Sequence, residues 1–154
     1  MSQDDLIGKR ILSPKFGIGI IESIEQMGGR DFFVAFSQEL NIKNFVPVDD
    51  QTEYRFLSSK KDLEQCLKNL SPSHAPIEFE SKQERINYFK TETKIQNLEK
   101  ITFLLCELAA IDDRGTVEEA SLAKLIETLS IELSIVLEIS RAEATKQIKE
   151  NLGI

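Results

Sequence analysis

The chain has 154 residues, with 19 basic and 26 acidic side chains, a net charge of −7, and 41% hydrophobic against 29% charged residues. That mixture allows one ordinary globular domain or two small ones and excludes a disordered chain. No apolar run approaches the roughly 20 residues that span a bilayer, and the acidic start Met1-Ser2-Gln3-Asp4-Asp5 is unlike a secretory signal, so a cytoplasmic protein without a membrane partner is expected.

Short strands are expected first, at Lys9–Leu12 and Ile18–Glu25, separated by the turn residues Ser13-Pro14-Lys15-Phe16-Gly17. Gln26-Met27-Gly28-Gly29-Arg30 carries the Gly-Gly hairpin signal. Asp31–Ser37 follows, with Phe32, Val34 and Phe36 on one face and Phe33, Ala35 and Ser37 on the other. Asn41–Val48 alternates Ile42, Asn44 and Val46 against Lys43 and Phe45. Its Pro47 points to an edge strand or a strand end. Tyr54–Leu57 adds a short fifth strand. A helix from Ser59 to Leu70 carries Leu63, Cys66, Leu67 and Leu70 along one stripe. Ser71-Pro72-Ser73-His74-Ala75-Pro76 is the strongest helix breaker, so a boundary is expected at residues 71–77.

From Ile77 onward there is no proline, and the chain reads as helix. Ser81-x-x-Glu84, Thr116-x-x-Glu119 and Ser140-x-x-Glu143 match the capping box, and Asn97 offers a fourth cap, which together predict four helices. The second carries Leu98, Ile101, Leu104, Leu105, Leu108 and Ile111 and stops near Asp112-Asp113-Arg114-Gly115, with Gly115 available as a left-handed C-cap. The third, Val117–Leu137, becomes apolar nearly all round and is expected to be central. The fourth shows Ala144, Ile148 and Leu152. The expected fold is therefore α+β in two domains. Residues 1–70 form a small bent antiparallel sheet or barrel with one helix, residues 71–76 a linker, and residues 77–154 an all-α bundle.

Catalytic chemistry finds little purchase in these residues. Cys66 and Cys106 are too few for a disulfide framework and fit a reducing compartment. The lone His74 sits in the breaker, so no His-based metal cluster or Ser-His-Asp triad can be assembled. Gly17-Ile18-Gly19 lacks the frame and following helix of a phosphate loop and reads as a strand turn. The pairs Asp49-Asp50 and Asp112-Asp113 have no His or Cys beside them and read as turn residues. A protein without enzyme activity, cofactor or metal is expected.

Gly8-Lys9-Arg10-Ile11-Leu12-Ser13-Pro14-Lys15-Phe16-Gly17-Ile18-Gly19-Ile20-Ile21 resembles G-x-x-V-x-Y-P-x-x-G-x-G-x-V, the opening of the CarD/CdnL family of bacterial RNA-polymerase-binding regulators. The same module occurs in the transcription-repair coupling factor. Asn41–Val48 resembles the family's next block, an apolar-basic strand ending in V-P, and Arg55 with Phe56, Leu57 and Ser58 resembles its later Arg-x-x-x-Ser. Asn97–Leu108, Leu129-Ser130-Ile131-Glu132-Leu133 and Ile139-Ser140-x-x-Glu143-Ala144 are similar to its later helices, so the likeness runs over residues 8–152. It implies a Tudor-like N-terminal domain docked on the polymerase β subunit, and a helical domain that meets promoter DNA. Val34, Phe45 and Pro47 match positions that form the family's polymerase-contacting patch. Val34 could equally face the barrel core, and Phe45 could lie on either face. Arg30 and Lys43 could pair with an acidic polymerase surface or be solvated strand charges.

The likeness fails where the family places a Trp in a W-x-R-R-Y setting that wedges into the minor groove. This chain has no Trp, and in the aligned Lys82-Gln83-Glu84-Arg85-Ile86 only Arg85 is retained. Phe79 is a substitute wedge by type only, and Lys82 and Arg85 are the candidate phosphate contacts. Residues 77–154 hold 10 basic and 15 acidic side chains, a net of −5, which lacks the basic footprint of a duplex-binding domain. The expectation is a monomeric, non-enzymatic transcription regulator that binds the RNA polymerase β subunit. Promoter DNA would be bound only weakly, or when polymerase holds the protein there. The alternative is a protein-protein interaction module that has lost direct DNA contact and whose helical domain binds a partner protein.

Overall fold

The computed structural model of the chain describes residues 3–154. A short 3-10 turn at Gln3–Leu6 leads into β1 (Arg10–Ser13), β2 (Gly17–Met27), β3 (Arg30–Ser37), β4 (Ile42–Pro47) and β5 (Arg55–Phe56). These form one antiparallel sheet in the order β4-β3-β2-β1-β5. β4 and β5 stand at opposite edges, so the sheet is open where a closed barrel was one expectation. Gly28 and Gly29 join β2 to β3 with φ of 59° and 79°, the left-handed pair that a two-residue hairpin needs. Register shifts between Ile21 and Ser23, a bulge that bends β2 where it passes from β1 to β3.

One face of the sheet carries the core Ile11, Phe16, Ile21, Phe33, Ala35 and Val46. Phe16 folds over Gly19, where an added Cβ would sit 2.7 Å from the Phe16 ring and 3.2 Å from the Ala35 methyl. Tyr54 packs edge-on to Phe33 at 5.5 Å between ring centroids, and its hydroxyl donates to the Val48 carbonyl at 2.6 Å. Val34, between Phe33 and Ala35 in sequence, points to the other face.

Five helices follow: α1 (Lys60–Asn69), α2 (Lys82–Glu92), α3 (Leu98–Ala109), α4 (Thr116–Val136) and α5 (Arg141–Leu152). Ser59, Ser81, Asn97 and Ser140 each accept a hydrogen bond from the amide three residues on, at 3.0–3.1 Å. The Thr116 box is displaced by one residue. Gly115 is the N-cap, its N–H donates to Glu118 Oε1 at 3.2 Å, and Thr116 is the first helical residue. Gly115 has φ −86°, so it begins α4 and is not the left-handed end of α3.

The chain separates into two compact units, one ending at Leu57 and one running from Ser58 to Ile154. This corrects the boundary expected at residues 71–77. The stripe of α1 packs against α3 and α5, and Leu63, Cys66 and Leu70 are buried with Leu104, Leu105, Leu108, Leu129, Leu133 and Ile148. The proline-rich stretch ends a helix without ending a unit. Ser73 N–H donates to the Cys106 carbonyl at 3.0 Å. Ser73 Oγ and Ile77 N–H both donate to the buried Glu107 carboxylate at 3.1 Å.

Candidate functional site

Cross-strand pairs share a face, and the β3–β4 register matches Phe32 with Pro47, Val34 with Phe45, and Phe36 with Lys43. Arg30 lies on the same side by the two-residue period of β3. All five residues expected to contact a partner, Arg30, Val34, Lys43, Phe45 and Pro47, thus fall on the face opposite the Phe33 core. Val34 is only 5% exposed, whereas Phe45 is 52% exposed. Phe45 is thus off the core, whereas Val34, though outside the Phe33 cluster, is buried and offers little surface to a partner. β4 is an edge strand, as Pro47 foretold, and alternate backbone N–H and C=O groups along it lack a strand partner.

The charges of this face are partly engaged. The Arg30 guanidinium lies over the Phe32 ring, 5.6 Å from its centroid, and pairs with Asp49 at 3.0 Å. Both partners of that ion pair are exposed, which leaves it open to exchange with an external carboxylate at little cost. Lys43 is exposed between Phe36 and Phe45. The accessible apolar surface here is Phe45 with the half-buried Pro47, with two cations beside it. Asp50 accepts from Thr52 Oγ1 at 2.7 Å and from Thr52 N–H at 3.0 Å, and these bonds hold its carboxyl below the usual range. That is the turn role expected of it.

The basic candidates on α2 have a different fate. Arg85 Nε and Nη2 donate to the two carboxylate oxygens of Glu118 at 2.7 and 2.8 Å, and Nη1 donates to Asp113 Oδ1 at 3.0 Å. Lys82 Nζ holds the other oxygen, Asp113 Oδ2, at 2.9 Å. Burial alone would raise the Glu118 pKa. Hydrogen bonds from Arg85 and from the Gly115 N–H, with the Arg85 charge, overcome it and keep the carboxyl below its ordinary value. Asp113 is held low by its bonds from Lys82 and then Arg85. Arg85, 14% exposed, is therefore committed within the protein, whereas Lys82, 71% exposed, keeps only an exposed surface pair with Asp113. Phe79 packs on Tyr88 and Phe89, with ring centroids 5.3 and 6.0 Å away, so it is half-buried in an aromatic cluster and does not project as a wedge.

Three glutamates are buried, Glu107, Glu118 and Glu132, of which the sequence singled out only Glu132, as part of Leu129–Leu133. Glu107 and Glu118 act as described, and Glu132 accepts from the Ser58 N–H at 2.7 Å. Glu118 lies three residues after Gly115, a capping spacing hidden by the reading of Gly115 as a C-cap. In the helical unit a cleft of about 470 Å³ is lined by Asp62, Asn69, Asn97 and Cys66 among others, and by no cation or imidazole. Its Cys66 thiol is engaged with Thr102 Oγ1 at 3.0 Å. Among the described residues, no three His, Cys, Asp or Glu side chains gather as metal ligands, and no helix is long and apolar enough to cross a membrane. No family model matches this chain, and no curated protein matches it in sequence.

Proposed function

We propose that this chain is a monomeric, non-enzymatic transcription regulator whose Tudor-like sheet unit docks on the RNA polymerase β subunit and modulates promoter complexes. The family resemblance supplies the partner. The observation that carries the reading is the convergence of Arg30, Val34, Lys43, Phe45 and Pro47 on one face at a sheet edge, with Phe45 half exposed at its centre. Such an edge binds an extended partner segment by strand addition, with backbone bonds giving affinity and alternate side chains giving selectivity. The test is capture of purified β subunit by the immobilised full-length chain. Phe45→Glu should weaken capture at least tenfold, since burying an unpaired carboxylate in an apolar contact costs more than about 1.4 kcal/mol, and should leave the helical circular dichroism unchanged. Absence of capture by the wild type, or undiminished capture by the variant, overturns the assignment.

The helical unit is read as contributing little DNA affinity by itself. Arg85 is committed to Glu118 and Asp113, Lys82 keeps a surface pair with Asp113, and counterion release scales with the cations available to phosphates. Duplex DNA should bind weakly or not at all near physiological salt. Promoter contact would come when polymerase raises the local concentration. Wild-type affinity for free duplex that falls in a Lys82→Ala, Arg85→Ala variant would refute this.

A further inference from the structure

The backbone of β4 divides its hydrogen-bonding groups between two sides. Val48 N–H donates to the Asp31 carbonyl at 3.0 Å, and Val46, Asn44 and Ile42 stand opposite Phe33, Ala35 and Ser37 in the same register. By the alternation of an antiparallel ladder, these residues turn their N–H and C=O groups toward β3, while Lys43, Phe45 and Pro47 turn theirs outward. Pro47 has no N–H to offer. The open edge therefore presents two complete residues, Lys43 and Phe45, which are two apart and both exposed. One side chain is a cation and the other an aromatic ring. Ile42, 46% exposed, lies beside them on the opposite face.

We propose that this edge also pairs with β4 of a second copy of the chain, antiparallel, with Lys43 of each copy opposite Phe45 of the other. In that register every outward N–H and C=O of the two residues finds a partner across a two-fold axis. Each ammonium lies beside the ring of the other copy, where a cation is attracted to an aromatic face. The neighbouring registers are worse. A slip of two residues one way sets Lys43 against Lys43. The same slip the other way sets Lys43 against Pro47, whose missing donor leaves the Lys43 carbonyl unpaired. So short a contact buries far less than the about 1,000 Å² of a stable interface, and dissociation is expected in the range of about 0.1–1 mM. The regulatory meaning rests on the reading that this edge docks on polymerase: pairing hides Phe45 where copies are crowded, and the monomer is the form that docks.

Sedimentation equilibrium of the full-length wild type, from about 5 µM to about 1 mM, should show the mass rising from monomer toward dimer. Lys43→Pro removes an outward donor without touching the β3 ladder, so it should stay monomeric throughout with unchanged far-ultraviolet circular dichroism. Cross-linking by glutathione disulfide, which is reduced as two thiols become one disulfide, reads the register without that variant. Asn44→Cys stands opposite itself in the dimer, about 4.5 Å between Cα atoms and within disulfide reach. It should cross-link at least about tenfold faster than Ile42→Cys, whose two copies lie four residues apart in register. Both variants keep Cys66 and Cys106, so the native thiols contribute equally. A wild type that stays monomeric at about 1 mM would overturn the proposal. So would a Lys43→Pro dimer as stable as the wild type, or equal cross-linking of the two cysteine variants. Capture of the β subunit is measured at about 1 µM, where the chain is monomeric. Failed capture with intact self-pairing removes the docking reading alone, and capture by a chain that never dimerises removes this inference alone.

Discussion

Glu118→Gln removes one charge and keeps nearly the same volume, at a side chain that is fully buried against Arg85 and Gly115. Breaking a buried pair by deleting one partner costs about 3–5 kcal/mol. Arg85 is 14% exposed and retains Asp113, so the low end of that range is expected, about 3 kcal/mol. A helical unit of this size loses about 4–8 °C in Tm per kcal/mol, which gives a fall of about 12–24 °C at pH 7, followed by circular dichroism at 222 nm. The effect has a signed pH dependence. The Glu118 carboxyl is held below its ordinary 4.5 in the folded protein, so its stabilisation is complete above that pH and is lost as pH falls through the folded value. The gap between wild type and variant should therefore narrow as pH falls below 4.5. An Arg85→Met, Glu118→Gln double variant should be less destabilised than the sum of the single changes, because no uncompensated charge remains. A single variant melting within 2 °C of wild type at pH 7, or strict additivity, would refute the account of a coupled buried pair.

Glu107→Ala should cost about 1–3 kcal/mol and expose residues 71–77 to limited proteolysis, since the Ser73 hydroxyl and the Ile77 amide lose their shared acceptor. Unchanged cleavage kinetics would contradict that role. Gly19→Ala should destabilise the sheet unit by about 1–3 kcal/mol, because the new methyl meets the Phe16 ring and the Ala35 methyl. Near-ultraviolet circular dichroism and urea denaturation would register it, and a neutral result would show that Phe16 yields. Burial pushes Tyr54 and Tyr88 above 10. Absorbance at 295 nm should therefore show both phenols ionising at higher pH in the native protein than in 8 M urea, and coincident curves would contradict their packing.

Local chemistry was legible and distant pairing was not. The alternation in Asp31–Ser37, the Gly28-Gly29 turn and the serine and asparagine caps each depend on neighbours within four residues, and all appear where expected. The stripe on α1 was equally plain, but a stripe states only that something covers it. Loops of similar length reach a sheet or a bundle, and here Leu63, Cys66 and Leu70 found the bundle. Arg85 looked like a free cation because its partners lie 28 and 33 residues away. Thr116 looked like a cap because Thr commonly is one, while Glu118 in fact serves the amide of Gly115. For Val34 and Phe45, parity could be read within each strand, but not burial: the Phe33 cluster closes under Phe16 on the opposite face, yet Val34 is buried and Phe45 is not.

The buried glutamates give the helical unit an unusual solvent-exchange signature. Ser58, Ile77 and Gly115 all lie outside helices, where backbone amides ordinarily trade hydrogen with water quickly, yet each donates to a buried carboxylate. Those three protons leave only when the glutamate lets go. Their exchange rates would therefore time the local openings that free the entry to α1, the entry to α2 and the start of α4, one reporter for each joint of the bundle.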